Sequence, residues 1–305
     1  MTVVTDPETA AELKAGRRRF FKPRDEQAKA GWFIKVSVLI IVLMWTIPTL
    51  GVLVNSFRTS AESASTGWWT SLFNPLSTEW TLDNYASVLT SGGLLEAFIN
   101  SLIVTIPATV IPITLAAFAA YGFAWLRFKG RSLLFGIVVA LLVIPLQLGL
   151  VPLLQIYNGT GLTGSFVGIW LAHTGFGLPL AVFLLYGFIS LLPKDLFESA
   201  YIDGATPFTA FIRLVLPLSV PALASFAIFQ FLWVWNDFLV ALVFLGPSSD
   251  VAVLTIELAS IVGSRGEAYH LLTAAAFVSM LIPLIVFISL QRYFVRGLLA
   301  GSVKG

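Results

Sequence analysis

Long stretches of the chain carry no Asp, Glu, Lys or Arg, and their lengths set the architecture. Val36–Phe57 is a run of 22 residues, Ala97–Leu126 one of 30 and Ser132–Pro193 one of 62. A membrane-spanning helix needs about 20 mostly apolar residues, so the longest run holds two. Asn158-Gly159-Thr160-Gly161-Leu162-Thr163-Gly164 is rich in turn formers and divides it, which predicts helices near 133–157 and 165–190. Asn158-Gly159-Thr160 also matches a glycosylation sequon, but in so short a connection it reads as a turn. Leu214–Asn236 and Phe238–Ser249 predict a fifth span interrupted by Asp237, and Ala268–Gln291 a sixth. The expected fold is an all-α integral membrane protein with six transmembrane helices.

Composition agrees with that pattern. Hydrophobic residues make up 57% of the 305 and charged residues 11%, against about 25% charged in soluble domains. A soluble globule and a disordered chain are both excluded. The chain has no cysteine, which removes disulfides, thiolate metal sites and a cysteine nucleophile. His173 and His270 are the two histidines, too few for a histidine-rich metal cluster.

The net charge of +2 says little, but the placement of the basic residues orients the chain. Lys14, Arg17, Arg18, Arg19, Lys22, Arg24, Lys29 and Lys35 precede or open the first span. Arg127, Lys129 and Arg131 follow the second, Lys194 and Arg213 follow the fourth, and Arg292, Arg296 and Lys304 follow the sixth. Only Arg58 and Arg265 fall on the opposite side. The positive-inside rule then makes both termini cytoplasmic, in the inner (plasma) membrane. Trp32 and Trp125 adjoin the basic clusters, where interfacial anchors are expected. Residues 1–31 form a cytoplasmic arm without the pattern of a cleaved signal, and read as a solvated basic face near anionic lipid. The external loops 55–96, with Trp68, Trp69 and Trp80, and 246–269 are long enough to have structure of their own.

The connection at 193–217 carries the most specific pattern. Pro193 closes the fourth span. Leu196, Phe197, Ala200 and Tyr201 recur at helical spacing on one face. Gly204 suits a left-handed helix end. Thr206 can cap a second short helix with Pro207 at its first position, and Pro217 is expected to stop that helix before the fifth span. A compact helix–glycine–helix with an apolar face, held at the membrane surface, suits a groove on another protein.

Glu198-Ser199-Ala200, Asp203-Gly204-Ala205, Phe208, Phe211 and Leu216-Pro217 resemble the "EAA" loop of permease subunits of binding-protein-dependent ABC importers, with Ser199 where the family commonly has Ala. The resemblance spans roughly residues 32–305. Ile144-Pro145-Leu146-Gln147, Val151-Pro152-Leu153, Trp235-Asn236-Asp237-Phe238 and the ending Gln291 to Gly305 are similar to the carbohydrate branch, above all to the second permease of the maltose type. His173 through Pro179 and Ser264-Arg265-Gly266-Glu267 are similar to the α-glucoside subgroup. The resemblance implies a type I ABC importer permease fold and a 32–305 permease domain. It implies a coupling role for Glu198, Ser199, Ala200, Asp203, Gly204, Ala205, Phe208, Leu216 and Pro217, and a tail (293–305) that reaches between ATPase subunits through Gly301, Ser302, Val303, Lys304 and Gly305. The implied partners are a second permease, two ATPase subunits, an external sugar-binding protein and membrane lipid, with no nucleic acid.

No Gly-x-x-x-x-Gly-Lys-Ser/Thr loop occurs, and the chain contains no Gly-Lys pair. It is therefore expected to be no enzyme and to carry no cofactor, with ATP and Mg bound by the partner subunits. On the fifth span, Gln230, Trp233, Val234, Asp237 and Ala241 share a helical face. An indole can cover a sugar's C–H face while amides and carboxylates pair with hydroxyls. Gln230, Trp233, Asn236, Asp237 and, on the third span, Gln147 are the candidate substrate path; Gln155 is a weaker candidate. Asn236 and Asp237 read equally as hydrogen-bonding glue between helices. The expected function is transport of an oligosaccharide or α-glucoside. Import of another solute such as glycerol phosphate is the alternative within that class, and an intramembrane enzyme on lipid-linked sugar the alternative outside it.

Overall fold

In the computed structural model, the described residues are 31–91, 93–246, 248, 250–261 and 268–302, with backbone alone described for residue 91 and for 292–302. Residues 1–30 of the N-terminal arm, Ser264-Arg265-Gly266-Glu267 and Val303–Gly305 lie outside them, as do the side chains of Arg292 and Arg296.

The described residues form helices and one isolated antiparallel bridge, Arg58 with Trp80. In chain order the helices are α1 (Trp32–Ser56), α2 (Ser60–Ser65), α3 (Trp68–Phe73), α4 (Asp83–Ser91), α5 (Leu94–Trp125), α6 (Arg131–Leu141), α7 (Leu146–Thr160) and α8 (Phe166–Ile189). There follow α9 (Lys194–Ile202), α10 (Pro207–Ala210), a π-helical turn (Phe211–Val215), α11 (Leu216–Trp235), α12 (Leu239–Phe244), α13 (Leu254–Ile261) and α14 (Tyr269–Ser302). Five stretches are long and apolar enough to cross a membrane: α1, α5, α8, the run Pro207–Trp235 and α14 over Tyr269–Gln291. Taken as one broken span, the bent pair α6–α7 makes a sixth.

The chain divides into two compact units, Met1–Leu50 and Gly51–Gly305. The first holds most of α1. In the second, α5, α8 and α11 pack on one another and α14 packs on α11. Small residues allow the close approach expected where helices meet in lipid. Ala108, Ala116, Ala120, Ala172, Ala181, Ala274 and Ala275 are all completely buried.

Four sequence expectations are corrected. The third span is not one straight helix over 133–157: α6 and α7 meet at 101° across Leu142–Pro145. Pro145 has no N–H and sits at ψ 131°, and the residue before a proline avoids the helical region. The turn after it does not begin at Asn158. Asn158, Gly159 and Thr160 finish α7, and Gly161 and Gly164, at φ +71° and +73°, make the turn. Pro217 does not stop the second loop helix; Pro207–Trp235 runs on as one span through the π-helical turn. There the Leu216 N–H reaches back to the Phe211 carbonyl, which fits a proline next in sequence with no N–H of its own. Finally, α14 stays helical to Ser302, so Gly301 and Ser302 continue the last helix.

Candidate functional site

The loop between α8 and α11 is built on three aromatic contacts. Phe197 of α9 is buried and stacks on the Trp125 indole at the end of α5, with ring centroids 3.7 Å apart. Trp125 donates its Nε1–H to the Ile189 carbonyl at 3.0 Å, which ties the ends of α5 and α8 together. Phe211 is buried against Phe118 and Tyr121, at 4.5 and 5.3 Å. Tyr121 also donates its hydroxyl to the Pro207 carbonyl at 3.0 Å. Trp125 is thus a packing residue, and Phe197 turns into the protein, away from the outward face to which its spacing assigned it.

Between these anchors the loop turns at Gly204, whose φ of +83° favours glycine. Ala205 N–H reaches the Ala200 carbonyl at 2.9 Å and Gly204 N–H the Tyr201 carbonyl at 3.1 Å. That pair of bonds is the Schellman closure of a helix. Thr206 then caps α10, its Oγ1 accepting the Thr209 N–H at 3.2 Å, with Pro207 in the first turn. The local chemistry expected of Gly204, Thr206 and Pro207 is therefore present.

The outward surface of the loop combines apolar and acidic groups. Ile202 is 85% exposed and Phe208 65% exposed. Glu198, Ser199, Asp203 and Gly204 are exposed beside them, as is Pro217, while Ala200, Ala205 and Leu216 are half-buried. Helices end here with a fixed inner face and an unpartnered outer one.

A second polar layer lies inside the bundle. Gln230 of α11 is completely buried and donates Nε2–H to the Ala108 carbonyl of α5 at 3.1 Å. Its Oε1 has no donor. Four residues before Gly177 on α8, His173 is also buried, with its ring edge-on to Trp233 at 5.4 Å and Nε2 3.8 Å from Asp237 Oδ2.

Asp237 is not on the helical face predicted for it. α11 ends at Trp235, and the Asp237 carboxylate caps α12, accepting from Val240 N–H at 3.3 Å and Ala241 N–H at 2.9 Å. Its carbonyl takes the Thr255 hydroxyl at 2.6 Å. Asn236 is exposed and donates to the Leu232 carbonyl at 2.7 Å. The structure brings Trp233, Asp237 and His173 together. Gln230 bonds to a different helix, and Gln147 stands apart on α7. His173 was missed as a partner of Asp237, because 64 residues separate them and no periodicity links different helices.

Gln147 is exposed in the first turn of α7, beside the bend. The N–H groups of Leu142, Val143 and Ile144 bond three residues back at 3.1 to 3.2 Å, while their carbonyls accept no backbone donor. Non-helical backbone at membrane depth is tolerated only in protein or beside water. A cavity of about 320 Å³ adjoins the bend, between Pro145, Leu146 and Gly149 on one side and Phe176, Pro179 and Leu180 on the other. Among the described residues no group of three or more His, Asp or Glu could hold a metal ion.

Comparison with known proteins decides the family. Residues 112–299 match the model of the binding-protein-dependent transport system inner membrane component. The chain belongs to that family. It is 57% identical to an osmoprotective compounds uptake permease protein of Synechocystis sp., over 89% of this chain and 91% of that one. It is 43% identical to an alpha-glucoside transport system permease protein of Rhizobium meliloti, over 90% and 97% of the two chains. In structure it is similar to a chain of a bacterial ABC transporter that imports the acidic polysaccharide alginate, with a TM-score of 0.72 over 90% of this chain and 99% of that one. At 20% identity the last likeness shows the fold. The chain is thus a multi-pass inner-membrane component of a transporter, which agrees with the fold, family and localisation expected from the sequence.

Proposed function

We propose that the chain is one of two permease subunits of an ATP-driven sugar importer, and that its cargo is an oligosaccharide or α-glucoside delivered by an external binding protein. Family membership carries this reading, together with relatives named for sugar transport. ATP and Mg are assigned to two partner ATPase subunits. The loop at 193–217 docks on those subunits through Glu198, Ser199, Asp203, Gly204 and Phe208, with Ala200, Ala205, Leu216 and Pro217 shaping it. Its inner anchors would pass a push on that surface directly to α5, α8 and α11. The excess of basic residues on one side of the spans supports a cytoplasmic position for this loop and both termini.

For the solute path, the bend between α6 and α7 supplies free carbonyls and the exposed Gln147 amide, both able to meet sugar hydroxyls. Trp233 and Asn236 are the candidates on the fifth span. Gln230 and Asp237, engaged with protein, hold that path in shape. The tail, Gly301 to Gly305, is assigned to contact with the ATPase subunits. Deleting Ala300–Gly305 is expected to lower the yield or ATPase activity of the complex, and a fully active deletion would remove that role.

The name of the 57%-identical relative favours a second reading, in which the cargo is an osmoprotective compound. Uptake into proteoliposomes containing the co-expressed complex and its binding protein separates the two. ATP-dependent accumulation of α-glucosides supports the first, accumulation of osmoprotective compounds alone supports the second, and no ATP-dependent uptake of either overturns both.

A further inference from the structure

The segment between α1 and α5 carries an apolar surface that neither the loop at 193–217 nor the solute path uses. Its base is rigid. Arg58 is completely buried, and its guanidinium donates to Asn55 Oδ1 at 3.3 Å, the Thr66 carbonyl at 3.1 Å, the Glu62 carbonyl at 2.7 Å and the Thr66 hydroxyl. The Glu62 carboxylate stands 3.6 Å from its Nε. Asn84 closes the far end by donating to the Ser56 and Arg58 carbonyls at 2.9 and 2.8 Å. Asn55 reaches Thr273 near the start of α14 at 3.3 Å, which fixes this base at the membrane face where the first span ends and the last begins.

From that base α3 folds back toward the bilayer. A Cβ on Gly51 would lie 2.9 Å from the Trp68 indole, so the indole rests on that glycine. Gly51 precedes Ser56, the last residue of α1, by five residues, or about 7.5 Å along the axis at 1.5 Å per residue. α3 therefore starts alongside the end of the span and not above it. Trp69 is then 55% exposed, Phe73 81% and Leu76 102%.

Most of the polar side chains among these residues bond within the segment, while the exposed Asn74 amide and the buried Ser71 hydroxyl make no such bond. The Thr70 hydroxyl donates to the Gly67 carbonyl at 2.7 Å, and those of Ser77 and Thr78 donate to the Asn74 carbonyl at 3.1 Å each. Trp80 donates Nε1–H to the Pro75 carbonyl at 2.9 Å. No charged residue lies between Glu62 and Glu79. Glu62 is committed to Arg58 and to the Glu79 N–H, at 3.1 Å.

We infer that residues 68–80 are an interfacial anchor, seated in the headgroup–acyl boundary of the bilayer with Trp69, Phe73 and Leu76 inserted. The depth of the patch is set by the Trp68–Gly51 contact at the end of the first span. Exposed aromatics at that level are the composition of a membrane–water interface. Side chains that satisfy their own hydrogen bonds suit a medium poor in partners. The exposed carboxylate of the segment, Glu79, lies at its end, apart in sequence from Trp69, Phe73 and Leu76, where it can stay among the headgroups.

The chain's lack of cysteine makes the test direct. Phe73→Cys, Leu76→Cys and, as a control on the exposed face of α2, Ser60→Cys are each labelled with a nitroxide. Each is measured in lipid nanodiscs, in the complex with cysteine-free partner subunits. Collision with oxygen, which concentrates in acyl chains, is compared with collision with a water-soluble nickel chelate. The expected result is an oxygen-to-nickel ratio several-fold higher at 73 and 76 than at 60. Nickel access at 73 and 76 equal to that at 60 would place the patch in water and overturn the proposal. Low collision with both reagents would place it against another protein and overturn it equally. A second readout needs no label: brominated acyl chains should quench Trp fluorescence more in the parent than in Trp69→Phe, and equal quenching counts against insertion.

Discussion

The side-chain amide of Gln230 lies against the bare Cα of Gly177, where a Cβ would stand 2.7 Å from its Oε1. One glycine thus makes room for the amide that joins α11 to α5 across the face of α8. Gly177→Ala is expected to destabilise the protein by about 1–3 kcal/mol, the usual range for overpacking a filled interior. Gln230→Ala removes the obstacle, so the double variant should lose less than the sum of the two single losses, by at least about 0.5 kcal/mol. Thermal unfolding of the purified complex measures this; strict additivity would mean that the two residues do not share the space.

Gly204 closes the first loop helix at a φ that proline cannot reach. Gly204→Pro also removes the N–H that bonds to Tyr201. Glu198→Lys leaves the fold alone and reverses an exposed charge. Both should lower substrate-stimulated ATP hydrolysis about tenfold, equivalent to about 1.4 kcal/mol, while the membrane spans stay folded. Full stimulation in both variants would remove the loop from the coupling path.

Phe197→Ala separates two effects within the same loop. The side chain faces Trp125, so its loss opens a cavity costing about 3–5 kcal/mol at a fully buried aromatic. The melting temperature should fall, and coupling with it. Ile202→Ala, on the outer surface, should leave the melting temperature unchanged and weaken only ATPase association. If Ile202→Ala destabilised the isolated permease as much as Phe197→Ala, the division into inner anchor and outer surface would be wrong.

Asp237 caps α12, and a helix cap is worth about 0.5–2 kcal/mol. Asp237→Leu should lower stability by that amount, with a further loss from the buried amides it strands. Asp237→Asn retains one acceptor oxygen and should preserve the ranking of sugars in uptake assays normalised to assembled complex. A changed ranking with an unchanged melting temperature would return Asp237 to the solute path.

What the sequence disclosed depended on whether the signal was local. Gly204, Thr206 and Pro207 act within a few residues of themselves, and each does what its chemistry implied. The run lengths disclosed the membrane spans for the same reason. The bend at Leu142–Pro145 was hidden, because Pro145 lies inside an apolar run that a charge count treats as uniform. Phe197 was assigned to the outward face because periodicity groups side chains without saying which group meets Trp125. Asp237 was put on a continuous helix because a break at Asn236 leaves no glycine or proline to mark it. Gln230 drew attention as a polar residue in an apolar helix, yet its partner, like that of His173, comes from another element, where spacing carries no information.

The π-helical turn at Phe211–Val215 has a consequence for how this chain can vary in length. It holds one residue more than an α-helical turn would, and each residue of an α-helix advances the side chains by about 100°. The face of α10 that meets Tyr121 and the face of α11 that meets Ala108 are therefore out of phase by that angle. Removing one residue from 211–215 would let the turn tighten to α and keep both faces seated, at the cost of a small axial slip. Removing one anywhere between Leu223 and Trp235 would swing Gln230 or the Trp233–Asp237 segment off its partners. Gains and losses of single residues among relatives of this chain are accordingly expected to collect at the wide turn, which serves as the place where loop and span keep separate registers.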